Sequence, residues 1–380
     1  MKAKSIKGKS PEEIQSALQQ SMTDGFKPTL AVVFLSMKQD RDEICKVLDN
    51  EGIAIFGATT NGEFIDESLG KESVAILLLD INKNYFRMFF EEFPEKNYRE
   101  ITKNIALKAK ERFASPAFLI AGSNMETNAE ELLFGFEDIL GKEVNVFGGM
   151  SGDDYAFTEQ FVFTNSRSSN TGVIALALDE AKIIIKGKAT CGWKPVGTEK
   201  TVTKSEDNHD YTIENIPVLD LTLKYGGLNI TRDTATRDTA LEIATTLPLQ
   251  LLREKSDPIM RPGLVVNLED GSFICSGSVP QGSKIRFSLP PDFDVMETVI
   301  KGVSELKTKE MPDADALIVF SCAGRILAFG PMMNMEVEGV RKVWDVPMAG
   351  MFSNAELARA TSGNLEMHNL TTCCIVLKEK

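Results

Sequence analysis

The chain is short of several things that commonly announce a function. Histidine occurs only as His209 and His368, and tryptophan only twice. The six cysteines, Cys45, Cys191, Cys275, Cys322, Cys373 and Cys374, include no CxxC pair, which argues against a structural zinc site. No apolar run approaches the length of a membrane span. The basic start, Met1-Lys2-Ala3-Lys4-Ser5-Ile6-Lys7-Gly8-Lys9, lacks the apolar core of a secretory signal, so a cytoplasmic protein with free thiols is expected. Basic residues are outnumbered, giving a net charge of −13, and a nucleic-acid partner is not expected without clustered Lys and Arg. Neither phosphate-loop pattern, GxGxxG or GxxxxGK[ST], is present.

What is present is a recurring glycine turn. Ile53-Ala54-Ile55-Phe56 runs into Gly57-Ala58-Thr59-Thr60-Asn61-Gly62-Glu63-Phe64. Val144-Asn145-Val146-Phe147 runs into Gly148-Gly149-Met150-Ser151-Gly152-Asp153-Asp154, and Val346-Pro347-Met348-Ala349 into Gly350-Met351-Phe352-Ser353-Asn354-Ala355-Glu356. The first and third share Gly, Asn and Glu at the same offsets: Gly57/Asn61/Glu63 and Gly350/Asn354/Glu356. Each is preceded by another short apolar run, at Leu30 to Leu35, Ala117 to Ala121 and Ala316 to Phe320. The repeated unit reads as strand, helix, strand, glycine turn, and points to internal duplication.

Around these units the pattern predicts a helix from Pro11 to Met22, with Ser10 and Glu13 as a capping box. Val74 to Ile81 and Tyr85 to Glu91 read as a strand pair joined at Asn82-Lys83-Asn84. Helices are expected over Tyr98 to Phe113, Asn128 to Leu140 and Val295 to Leu306. Asp270-Gly271 reads as a hairpin turn. The fold class expected is α/β (mixed α+β): two related halves, each a mixed sheet layered with helices, with boundaries at 1–207 and 208–380.

The glycine turns, together with Gly192-Trp193-Lys194-Pro195, Ser321-Cys322-Ala323-Gly324-Arg325 and His368-Asn369-Leu370-Thr371, resemble the FIST family, both its N-terminal and its C-terminal domain. The resemblance covers nearly the whole chain. Ala355 stands where family members often carry glycine, and Leu370 where a polar residue is common. The resemblance implies a sensory module that binds a small ligand, such as an amino acid, and signals to a kinase, a cyclase or a chemotaxis receptor. Some bacterial relatives are described as haem-binding nitric oxide sensors.

The residues suggest how a ligand would be held. Thr59, Thr60, Asn61 and Ser151 offer polar groups at strand ends, as do Asn354 and Asn369. Glu63, Asp153, Asp154 and Glu356 suit an ammonium group, and Arg325 suits a carboxylate through two parallel hydrogen bonds. The expected function is therefore a non-catalytic sensor with an amino-acid-like ligand in a cleft lined by the glycine turns. The alternatives are a haem sensor with His368 as axial ligand, or an interaction scaffold without ligand. Catalysis would need Cys322 and His368 to meet.

Overall fold

The computed structural model describes residues 1–124, 127–226, 230–253, 258–289, 292–360 and 364–380. In chain order, the first part holds β1 (Lys2–Gly8), α1 (Pro11–Ser21), β2 (Leu30–Leu35), α2 (Arg41–Asn50), β3 (Ala54–Thr59), the short hairpin β4 (Glu63–Ile65) and β5 (Ser68–Leu69), and β6 (Val74–Asp80). The second holds β7 (Phe86–Glu92), α3 (Tyr98–Arg112), β8 (Pro116–Gly122), α4 (Ala129–Leu140), β9 (Val146–Met150), β10 (Val162–Phe163), β11 (Ser168–Ser169) and β12 (Gly172–Asp179). The third opens with β13 (Ile183–Thr190) and is then interrupted. The interruption carries β14 (Pro195–Glu206), β15 (His209–Ile213), β16 (Ile216–Pro217), α5 (Val218–Tyr225), α6 (Arg237–Thr246), β17 (Leu249–Leu251), β18 (Ile259–Arg261), β19 (Gly263–Val266), β20 (Phe273–Cys275) and β21 (Lys284–Ser288). It resumes with α7 (Phe293–Lys309), β22 (Ala316–Cys322), α8 (Ala323–Phe329), α9 (Met333–Lys342), β23 (Met348–Ser353), β24 (Ala355–Arg359), β25 (Leu365–His368) and β26 (Thr372–Glu379).

The fold is mixed α+β, as expected, and three of its sheets share one strand order. They run β1-β6-β2-β3-β10-β11, β7-β12-β8-β9-β24-β25 and β13-β26-β22-β23-β4-β5. In each, one parallel pair (β2/β3, β8/β9, β22/β23) sits among antiparallel neighbours. Each glycine strand is followed by a hairpin that leaves its own sheet. The hairpin after β3 joins β23, the one after β23 joins β9, and the one after β9 joins β3. The exchange is cyclic, and two of the sheets therefore draw strands from both ends of the chain.

The register aligns the three turns. Phe163 lies opposite Gly57, Phe64 opposite Gly350 and Leu357 opposite Gly148. At two of these positions glycine admits an aromatic ring: a Cβ on Gly57 would lie 2.2 Å from Phe163, and one on Gly350 would lie 2.3 Å from Phe64.

β2, β6 and β12 are buried along nearly their whole length, which is why they read as continuous apolar runs rather than alternating ones. Their inner faces share one core, where Phe34 meets Phe320 edge-on at 5.4 Å. Helix pairs cover the outer faces: α1 and α2 over the first sheet, α3 and α4 over the second, α7 and α9 over the third. Ser10 caps α1 by accepting from Glu13 N at 3.3 Å.

One expectation changes. β6 and β7 do not pair with each other: β6 has both edges taken by β1 and β2, so β7 pairs with β12 in the neighbouring sheet. Residue 207 lies in the turn between β14 and β15, within a sheet built wholly from residues 195–288. That inserted sheet has its own apolar core. Its Asp270-Gly271 turn does join β19 to β20, with Gly271 at φ 74°.

Candidate functional site

The three turns meet at their ends. Asn61 N donates to Phe352 O at 3.0 Å, Asn354 N to Met150 O at 3.0 Å, and Gly152 N to Thr59 O at 2.9 Å, a closed ring of backbone bonds. Side chains add to it: Asn61 Nδ2 donates to Asn354 Oδ1 at 2.8 Å, and Asn354 Nδ2 to Ser151 O at 2.7 Å. Asn61 Oδ1 accepts from Asp153 N at 3.2 Å and Tyr155 N at 3.0 Å. The second turn has glycine where the others have asparagine, because a Cβ on Gly152 would lie 2.4 Å from Asn61 Nδ2.

The two glutamates are held alike. Glu63 accepts from Thr60 Oγ1 at 2.9 Å, from Ser73 N at 2.9 Å and from Ser73 Oγ. Glu356 accepts from Ser353 Oγ at 2.7 Å, Thr371 Oγ1 at 2.8 Å and Thr371 N at 3.3 Å. Both are fully buried. Burial pushes both carboxyls up against the pull of these donors, Glu356 to about 8.

A raised folded pKa means that Glu356 contributes stability fully below the ordinary glutamate value of 4.5 and loses it as pH rises towards about 8. Wild type should therefore lose roughly 2 kcal/mol relative to Glu356→Gln between pH 5 and pH 7. Urea melts of both proteins across that range check it, and a pH-independent difference would refute it. Asp210, pushed up to about 7 by burial, and His368, held down to about 4 by burial, titrate in both proteins and cancel in the comparison.

Most of the other expected ligand groups have partners within the protein. Thr59 Oγ1 donates to Gly152 O at 2.6 Å, and Ser151 Oγ to Gly122 O at 3.0 Å. Asp153 accepts from Thr158 N, Glu159 N and Gln160 Nε2 at 2.6, 3.2 and 3.0 Å. Asp154, at φ 56°, accepts from Ser36 Oγ at 2.7 Å and Met37 N at 2.9 Å. Arg325 is not free to clamp a ligand. Its Nε and Nη2 donate to the two oxygens of Glu336, and its Nη1 to Leu370 O and Cys191 O at 2.8 and 2.9 Å. The turns are thus a buried polar hub, and the accessible space lies beside it.

Two cavities flank the segment His368-Asn369-Leu370-Thr371. One, of about 560 Å³, is mostly apolar and lies where β22 and β23 end, between the three-sheet body and the inserted sheet. Tyr155, Phe157, Leu327 and Asn354 line it from the body, Leu264 and Ser276 from the insert. Asn369 also lines it: its Oδ1 accepts from Arg261 Nη1 at 3.2 Å, while its Nδ2, on a side chain only 1% exposed, has no partner. Ser276 Oγ is likewise buried and unpartnered. Asp238 and Glu242, one turn apart on α6, stand on the same lining. The other cavity, of about 450 Å³, includes His368, Trp193, Thr190 and Lys188. Cys322 lines the first cavity and His368 the second, so the structure does not bring that pair into one site.

Ala355 pairs with Met150 in ordinary extended backbone, and needs no glycine. Leu370 takes φ 56° and packs on Gly324, where a Cβ would lie 2.6 Å from Leu370 Cδ2.

Comparison with known families bears on this arrangement. A FIST N domain model matches residues 29–215, and a FIST C domain model matches residues 228–359. The chain belongs to the FIST family. Among curated proteins none matches the sequence. FIST domains are sensory domains of signal-transduction proteins. The FIST N match contains the first two glycine turns and the FIST C match the third, while His368 to Thr371, which separates the cavities, lies beyond it. No described helix is long and apolar enough to cross a membrane.

Of the residues expected from the sequence to hold a ligand, Asn354 and Asn369 line the first cavity and His368 the second. Tyr155, Ser276, Thr190, Lys188 and the pair Asp238/Glu242 were not among them, because they arrive from separate elements with no motif between them. Trp193 carried a signal: it is one of two tryptophans and follows Gly192, which takes φ 93°.

Proposed function

We propose that this FIST protein is a cytoplasmic, non-catalytic sensor whose ligand, an apolar amino acid, occupies the 560 Å³ cleft at the strand ends. The observation that carries the reading is Asn369 Nδ2, a buried donor without a partner in the lining of a mostly apolar cleft. Ligand sites of this kind combine apolar walls with a few placed polar groups, and strand ends are where α/β folds put them. The ligand carboxylate accepts from Asn369 and Ser276. Its ammonium faces Asp238 and Glu242, and its side chain lies against Phe157, Leu264 and Leu327. Such a ligand touches both the body and the inserted sheet, so binding favours the closed arrangement of the two and presents a changed surface to a kinase, a cyclase or a chemotaxis receptor. The shared strand order of the three sheets supports an origin by repetition of one unit, the last copy interrupted by the inserted sheet.

Haem fits neither cavity well. The walls around His368 include Lys188, Arg253, Lys301 and Glu305, where a porphyrin needs apolar faces. The larger cleft has no histidine, and burial pushes its Cys322 thiol up, away from the thiolate a haem iron takes.

A thermal-shift screen against the amino acids tests the proposal. A ligand at a hundred times its Kd adds about 2.7 kcal/mol of stability. Asn369→Leu should weaken that ligand at least about tenfold, since a buried donor to a carboxylate is worth roughly 1.5–3 kcal/mol. Leu327→Asp, at a position 63% exposed and therefore safe for the fold, should weaken it too. A full screen without a shift, or unchanged affinity in both variants, would remove the proposal.

A further inference from the structure

The cavity around His368 has a chemistry of its own. Three buried polar atoms without partners belong to residues that line it: Trp193 Nε1, Thr190 Oγ1 and His368 Nε2. Trp193 and His368 are 6% and 9% exposed, so water does not readily supply what they lack. Buried polar groups in native proteins have partners almost without exception, and three orphans around one cavity mark a place shaped for a ligand.

Their types narrow the ligand. An indole N–H only donates, and a threonine hydroxyl donates or accepts. The imidazole is neutral: burial disfavours its charged form, and its other nitrogen, Nδ1, is engaged with the backbone at Ala358. Nε2 therefore accepts. Lys188, Arg253 and Lys301 line the walls with one carboxylate, Glu305; Arg253 is already paired with Glu366 and Lys188 lies 3.4 Å from Glu305, so the positive charge open to a ligand is chiefly that of Lys301. A ligand must bring acceptors, negative charge and one donor.

We propose that this cavity is a second ligand site, distinct from the amino-acid cleft, that takes a small oxyanion carrying a hydroxyl group, such as hydrogenphosphate or the phosphate of a hydroxylated ester. The anionic oxygens accept from Trp193 Nε1 and Thr190 Oγ1 in the field chiefly of Lys301, and the hydroxyl donates to His368 Nε2. A phosphate group fills only part of about 450 Å³, which leaves space for the organic portion of an ester.

The discriminating experiment is calorimetry at pH 7.5 with inorganic phosphate, glycerol 3-phosphate and sulfate. Sulfate matches phosphate in shape and charge but carries no proton at that pH. Phosphate and glycerol 3-phosphate should bind, and sulfate at least tenfold more weakly. His368→Phe should abolish the difference between phosphate and sulfate. Lys301→Glu, an exposed change on α7 that leaves the core intact, should weaken phosphate at least tenfold. Absence of phosphate binding at 10 mM would overturn the site. Sulfate binding as tightly as phosphate would overturn the role of His368, and an unaltered phosphate affinity in Lys301→Glu would overturn the anion reading even if His368→Phe failed to fold.

Discussion

Gly148→Ala is expected to lower stability by roughly 3 kcal/mol or more, and to leave little folded protein at physiological temperature. Gly148 takes φ 157°, and a Cβ there would lie 1.8 Å from Ile120 O and 2.8 Å from Ile120 C. Both are backbone atoms of the parallel partner β8, so no change of rotamer relieves the overlap. The strand would have to separate from β8, or β24 from its other edge, and both contacts belong to the second sheet's central pairings. Denaturant melts measure the loss. Gly282→Asn makes the control, because Gly282 takes φ 86° with nothing near its absent Cβ and asparagine tolerates that backbone. A Gly148→Ala protein within about 1 kcal/mol of wild type would mean that the turn accommodates a side chain after all.

Breaking the pair of Arg325 and Glu336 is expected to cost about 3–5 kcal/mol, because the charge left behind stays buried without a counterion. The two side chains are 0% and 1% exposed. Glu336 also accepts from Thr372 Oγ1 at 2.6 Å, and the guanidinium lies over Trp193 at 5.1 Å and Phe329 at 5.6 Å. Arg325→Met should show the full loss. Arg325→Lys should also be unstable, since lysine keeps the charge but not the fork that reaches Glu336 and two carbonyls together. The double variant Arg325→Met/Glu336→Leu should recover most of the stability, because an apolar pair of similar volume replaces an ion pair at little net cost. A double-mutant cycle by chemical denaturation gives the coupling. Additive losses would show that the two residues act separately.

Arg325 also marks how far the sequence can be read. Its position just after an apolar strand suggests a ligand clamp, but the deciding partner, Glu336, sits on α9 with nothing in the spacing to single it out. The acids of the glycine turns show the same gap: charge is visible in a sequence, whereas the Ser73 and Thr371 donors that satisfy Glu63 and Glu356 are not. Strand-helix-strand units were legible because burial on both faces writes itself as unbroken apolar runs at β2, β8 and β22. The matched Gly, Asn and Glu offsets pointed to a real meeting place, since Asn61 and Asn354 do bond to each other. The hairpin exchange had no such record. β4 is three residues long, and nothing in Glu63-Phe64-Ile65 states that its partner is β23 rather than a neighbour. The same lack of pairing information made β6 and β7 look like a hairpin.

The cyclic exchange has a consequence for how the protein is made. β4 at residues 63–65 pairs with β23 at 348–353, so a strand edge formed early on the ribosome waits for almost the end of the chain. At about 5–20 residues per second, that wait is roughly 15–60 s. The second sheet likewise lacks β24 until the same moment. Through that interval the nascent chain carries open edges and an unclosed apolar interior, the features that recruit chaperones and promote aggregation. Separately expressed FIST N and FIST C pieces would inherit the same open edges permanently, and would become stable only by finding each other.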